Sequence, residues 1–178
     1  MDNSLISSLR TIHTLGPVGT NCQLAAREWF QKNQIDDGTV RLYDTLEEAV
    51  LNVKTGEALL ACVVYPKLHN LVFENLGEME FKETFITNTY DMVLAGKDKQ
   101  IRSIVNIASH PAPVDLVRKY NFTITHVSSN SAAAIEVAKG NFDGCITTIE
   151  AAKQQGLYIL ENFGPVPMGF SIHTMKGD

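Results

Sequence analysis

The 178-residue sequence predicts an α/β protein built from two βαβ lobes. Two observations carry this. Short apolar or β-rich runs alternate with helical patterns along the chain. The order strand, polar cap, helix, lysine with glycine, strand also occurs twice, in 42–64 (LYDTLEEAVLNVKTGEALLACVV) and 126–147 (HVSSNSAAAIEVAKGNFDGCIT). Either half is short for a stable domain alone, so the two lobes are expected to face each other across a cleft.

Taken in order, TIHTL at 11–15 reads as a strand ending at Gly16-Pro17 of a GPVGT turn. A helix starts near Thr20, with Leu24, Ala25, Trp29 and Phe30 on one face. Residues 40–43 form a strand, and Asp44-Thr-Leu-Glu47 is a capping box for a helix reaching about Gly56. ACVVY at 61–65 is a continuous apolar run, as in a buried parallel strand. In the second half, IVNIA at 104–108 is a strand, and Ser109-His110-Pro111 starts a helix through Leu116 and Val117. A strand at 123–127 leads through Ser128, Ser129, Asn130 and Ser131 into a helix closed by Gly140. Residues 144–146 form a strand, and Thr147-Thr-Ile-Glu150 caps a helix to Gln155. The crossings are expected at 85–94 and 163–171. Residues 1–84 with 163–178 then make lobe one, and 85–162 lobe two.

Composition narrows the function. The net charge of −5 argues against nucleic acid, which needs a basic face. No run approaches the roughly 20 apolar residues of a membrane span, and the N-terminal residues lack a signal-peptide pattern. Cys22, Cys62 and Cys145 are scattered without CxxC spacing, and the five histidines add no metal-ligand spacing. Reduced thiols, a cytoplasmic setting and no metal are expected.

Three helix starts directly after strands, at Thr20-Asn21, at Ser109-His110-Pro111 and at Ser128 to Ser131, point to an anionic ligand. Strand carboxyl ends are where α/β sheets bind ligands, and a helix N-terminus carries about half a positive charge. Gly16 and Gly19 permit close approach of a backbone to such a ligand. The same Ser, Thr and Asn residues also serve as plain caps worth about 1 kcal/mol each. His110 fits a donor or acid as well as a packed histidine. Both readings stand at this point. Glu74, Glu78, Glu80 and Glu83 read as a solvated face.

These motifs resemble, in order and over nearly the whole chain, those of the prephenate dehydratase family. The GPVGT turn and its Ala-Ala helix, Ser109-His110-Pro111, Ser128-Ser129-Asn130, and the helix ending at Gly156-Leu157 carry the likeness. It implies a type II periplasmic-binding-protein-like fold holding prephenate, a dicarboxylate, with no cofactor. Gly19, Thr20, Asn21, Ser109, His110, Pro111, Ser128, Ser129, Asn130, Ser131 and Phe170 would bind the substrate. A homodimer and an enzyme acting next on the product are further implications, and the family's regulatory ACT domain is not expected here.

The departures are informative. The dehydratases carry Thr-Arg-Phe, whose Thr assists loss of the ring hydroxyl, where this chain has Met168-Gly169-Phe170. Their Pro-Ile-Glu-Asn-Ser stretch is replaced by YPKLHN at 65–70. LYDT at 42–45, Ser109 to Pro113 and the PM…KGD ending instead resemble the family's prephenate decarboxylase branch, from bacilysin-type antibiotic biosynthesis. With Met168 in place of the acid, the resemblance implies decarboxylation without aromatisation, giving a dihydro-4-hydroxyphenylpyruvate. An atypical dehydratase and a non-catalytic carboxylate binder are the alternatives.

Overall fold

The computed structural model describes residues 8–177. The reading of the first seven residues as free of a signal peptide, and the terminal Asp178 of the KGD ending, lie outside the described residues. The chain forms two units. The first comprises 8–17, 22–88 and 167–177, and the second 18–21 with 89–166.

In chain order the first unit holds β1 (Thr11–Leu15), α1 (Asn21–Lys32), β2 (Thr39–Tyr43), α2 (Leu46–Val50), β3 (Ala58–Cys62), α3 (Leu68–Glu74) and β4 (Met79–Asn88). The second holds β5 (Met92–Gly96), β6 (Asn106–Ser109), β7 (Thr123–His126), α4 (Asn130–Lys139), β8 (Gly144–Thr148), α5 (Ile149–Gln154) and β9 (Tyr158–Gly164). The chain then returns to the first unit as β10 (Pro167–Met175). The sheet orders are β2-β1-β3-β10-β4 and β7-β6-β8-β5-β9. In each, three parallel strands are extended by antiparallel ones. The sequence repeat therefore marks one topology used twice.

Burial on both faces explains the unbroken apolar strands. Leu60 points with Ile12, Phe170 and Ile172 into the core under Ala25, Ala26, Trp29 and Phe30 of α1. Its neighbours Leu59 and Ala61 point the other way, against Leu46, Ala49 and Leu71. In the second unit Ala133, Ala134 and Val137 of α4 cover Val93, Ala95, Ala108 and Cys145, while Leu94, Ile107 and Ile146 fill the opposite side. Each large side chain so buried contributes roughly 1.5–3 kcal/mol.

Several boundaries differ from the sequence expectation. Thr45, not Asp44, caps α2, accepting from the Glu48 N–H at 3.1 Å. That helix stops at Val50, where the Asn52 side chain takes the Glu48 carbonyl at 2.9 Å. Thr148, not Thr147, caps α5. The strand expected at 61–65 is Ala58–Cys62; Tyr65 N–H closes a turn on Cys62 and leaves Val63 and Val64 exposed. No helix follows Ser109. Pro111 and Pro113 force extended backbone before them, and only a 3-10 turn at Val114–Val117 forms. The units divide after Asn88 and Val166 rather than 84 and 162, because β4 runs unbroken to Asn88.

Fully buried His13 bonds the Tyr43 hydroxyl through Nδ1 and Glu57 through Nε2, both at 2.8 Å. Burial holds the His13, His110 and His173 imidazoles below the ordinary histidine value. On acidification the unfolded chain takes up protons first, so stability is complete above about pH 6.5 and is lost as pH falls through the lowered folded values. Thermal melts between pH 7.5 and 5 are expected to show a falling Tm, and a flat Tm contradicts this account.

Candidate functional site

The second unit gathers most of the predicted residues at one sheet edge. β6 ends there at Ser109, β8 at Thr148, and antiparallel β5 begins there at Met92, opposite Thr148. Two adjacent threonines organise the edge. The Thr147 hydroxyl donates to the Asn130 carbonyl at 2.6 Å. The Thr148 hydroxyl donates to the Gly19 carbonyl and also accepts the Ala151 N–H, both at 3.1 Å. Asn21 Oδ1 accepts the Tyr90 N–H at 3.2 Å, anchoring the segment from Gly19 through buried Thr20. Thr147, Thr148 and Met92 were not among the predicted site residues. The hydroxyl pair at a strand end was visible in the sequence, but read as a cap alone.

Gly19 is a conformational requirement, with φ +85° and a would-be Cβ only 3.2 Å from Gln154 Oε1. Gly19→Ala is expected to strain the turn by about 1–2 kcal/mol and to raise KM for an anionic substrate severalfold. Steady-state kinetics check this; an unchanged KM excludes the turn from the site.

Helix α4 opens toward this edge. Ser129 caps it, accepting the Ala132 N–H at 3.0 Å. Asn130 Oδ1 and Ser131 Oγ are sealed from solvent, and neither has a hydrogen-bond partner among the described residues. Asn130 Nδ2 reaches Met92 Sδ at 4.0 Å. A buried polar group left unmatched costs about 1–3 kcal/mol. Both lie on the first turn of a ten-residue helix, beside its positive end, where the Ser131 hydroxyl can donate to an anionic group and Asn130 Oδ1, an acceptor, calls for a donor group on the ligand.

His110 follows β6. Its Nδ1 accepts the Ala112 N–H at 3.2 Å, which leaves Nε2–H as the donor. Burial and nearby His126 hold its pKa down, so the ring is neutral at pH 7. Ser109 is wholly buried and its hydroxyl donates to the His110 carbonyl at 2.8 Å, so it braces the turn rather than meeting a ligand. Pro111 and Ser128 are exposed.

Met168 and Phe170 lie in the first unit. Phe170 is 0% exposed and stacks on Phe85 at 5.8 Å within the core, which corrects its assignment to the binding site. Met168 Sδ receives the Cys62 thiol at 3.2 Å. Burial pushes the neighbouring Cys22 thiol up to about 12, so it stays protonated. No three His, Cys, Asp or Glu side chains among the described residues are grouped to hold a metal. No described helix is long and apolar enough to cross a membrane.

The twice-used sheet order, with polar groups collected at strand carboxyl ends, defines the two-lobed type II periplasmic-binding-protein-like class. The same fold occurs in the periplasmic VFT2 domain of Bordetella pertussis BvgS, with TM-score 0.52 and 15% identity over 97% of this chain and 83% of that one. More specifically, the model of the family described as prephenate dehydratase matches residues 12–163, and the chain belongs to that family. It is 29% identical over 194 residues to a prephenate decarboxylase of Bacillus subtilis, covering 97% of this chain and 94% of the relative. It also superposes on the Arthrobacter aurescens prephenate dehydratase solved with L-Phe, with TM-score 0.76 and 19% identity over 94% of this chain. It spans 61% of that longer enzyme.

Proposed function

We propose that this protein is a carbon–carbon lyase that decarboxylates prephenate and keeps the ring hydroxyl. What supports the reading is the full-length likeness to named prephenate decarboxylases, together with Met168, which the family resemblance puts in place of the dehydratases' hydroxyl acid. A thioether has no proton to give, and here it accepts from the Cys62 thiol.

The Ser131 hydroxyl, the Asn130 Nδ2–H and the N-terminus of α4 donate to a carboxylate, and Nε2–H of neutral His110 donates to the substrate. A neutral imidazole is a poor acid at pH 7, so His110 orients rather than protonates. The bond from the ring to its carboxyl group breaks and CO2 leaves. The electron pair moves through the diene to a ring carbon, which takes one proton from water. The product is a dihydro-4-hydroxyphenylpyruvate, and no electrons are exchanged with a cofactor. Fixing the ring so that the breaking bond lies perpendicular to the diene, with its carboxylate poorly solvated, is the protein's main contribution.

The product is a reactive, non-aromatic 2-oxo acid of the kind that antibiotic amino-acid biosynthesis uses, so an enzyme acting next on it in the cytoplasm is part of this proposal, as is a homodimer. The test is incubation of the pure protein with prephenate, following CO2 and the ultraviolet spectrum. CO2 with a conjugated non-aromatic product is expected. Phenylpyruvate would mean a dehydratase, and no CO2 a binder.

A further inference from the structure

A cavity of about 220 Å³ lies within the first unit, between the end of α3 and the sheet. One row of cross-strand partners crosses it: Leu59 of β3 pairs with His173 of β10, and His173 with Phe81 of β4. Partners directly opposite share a face of the sheet. Leu71 of α3 and Met79 of β4 close the cavity and belong to the same core cluster as Leu59. Leu59 is the second residue of β3, so the cavity lies away from that strand's carboxyl end at Cys62. A β-bulge shapes the row. Ile172 pairs with Glu83 and His173 with Phe81, so Lys82 has no partner on β10. An extra residue of this kind re-aims its neighbours, and the Phe81 ring meets His173 edge-on, at 77° and 5.7 Å between centroids.

An apolar cavity of roughly 150 Å³ holds a benzene molecule, so this one has room for one ring with a short substituent. Most of its polar groups are already engaged. Glu80 pairs with Lys82 at 2.6 Å, and the Asn75 amide donates to the Leu71 carbonyl at 2.8 Å. His173 meets Ser171 Oγ through Nε2 at 2.9 Å, and burial keeps its ring uncharged at pH 7. Exposed Lys176 is the cation of the lining, and among the described residues it enters no ion pair. Leu76 and Phe81 line the cavity yet are 50% and 56% exposed, apolar surface with nothing over it. We propose that this cavity is a second ligand site, taking a small aromatic carboxylate whose ring lies on Leu59, His173 and Phe81 and whose acid group meets Lys176. An alkyl chain would leave the two rings without an aromatic partner, and a cation would be repelled by Lys176. The site lies in one unit and does not depend on the proposed reaction.

The experiment titrates benzoate and its neutral isostere benzamide into methyl-labelled protein and follows the NMR spectrum. Benzoate is expected to shift the Leu59, Leu71, Leu76 and Met79 methyls saturably, with a dissociation constant of about 1 mM or tighter. Benzamide is expected to bind about threefold more weakly, the scale of one solvent-exposed charge contact. Lys176→Gln should remove that preference. Leu76→Trp, at an exposed position, should weaken both probes roughly fivefold by filling the cavity. No saturable shift, shifts confined to the Ala133 and Val137 methyls of α4, equal binding of the two probes, or a preference that survives Lys176→Gln overturns the proposal. So does a dimer in sedimentation velocity that Phe73→Ser/Leu76→Ser separates, because a second copy of the chain would then be the occupant.

Discussion

Phe170→Ala is expected to cost about 3–5 kcal/mol of folding stability, the range for emptying a fully enclosed aromatic site. The ring is 0% exposed, lies against Phe85, and belongs to the core under α1 with Trp29 and Ile12. β10 sits between β3 and β4, so the void would open beneath a strand paired on both sides, which limits relaxation. Against a total stability of about 5–15 kcal/mol, that loss leaves the first unit marginal at physiological temperature. Urea denaturation gives the magnitude. Below the melting range, KM of the folded fraction should stay within about twofold of the parent, because the ring is enclosed in the core. A Phe170→Ala protein of normal stability with a raised KM would return Phe170 to the binding site.

Asn130→Asp should have the largest effect on activity. The substitution keeps size and shape, but converts the amide into an anion where a carboxylate is to be held. Loss of one hydrogen bond to a charged group is worth about 1.5–3 kcal/mol, or roughly 10- to 150-fold in kcat/KM, before repulsion is added. Stability is expected to fall too, since Asn130 Oδ1 is sealed from solvent with no donor beside it and a charge there is costly even at a helix N-terminus, so kcat/KM is read on the folded fraction. A kcat/KM within twofold of the parent would show that the ligand lies elsewhere.

The strands with apolar runs buried on both faces, and the capped α4, were legible in the sequence because local signals decide them. Ser129 and Gly140 mark α4 with a side-chain acceptor and a left-handed residue, features that act within a single turn. What the sequence could not show was set by partners far along the chain. Val63 continues the apolar run of β3 and its N–H still reaches the Gly169 carbonyl, but the strand ends there because Tyr65 turns back on Cys62. Ser109 looks like a cap, but Pro111 and Pro113 deny it a helix. The site residues were partly visible as polar groups at strand ends. Ser131 was recognisable only as a small helix-start residue; its value as an unspent hydroxyl depends on burial. Phe170 was misplaced because β10 alternation puts Met168 and Phe170 on one face, and the core extends up to the second but only borders the first.

The bond from Thr148 to the Gly19 carbonyl joins positions 129 residues apart. Gly19 leaves the ribosome early yet belongs to a unit whose remaining strands are all made after residue 88. Its turn therefore gains the Thr148 bond only once β8 exists, and β10, between β3 and β4 of the first sheet, follows later still. Such far-apart pairings are slow to form. The Gly19 turn thus takes its final anchor only after β8 has been made, long after its own residues.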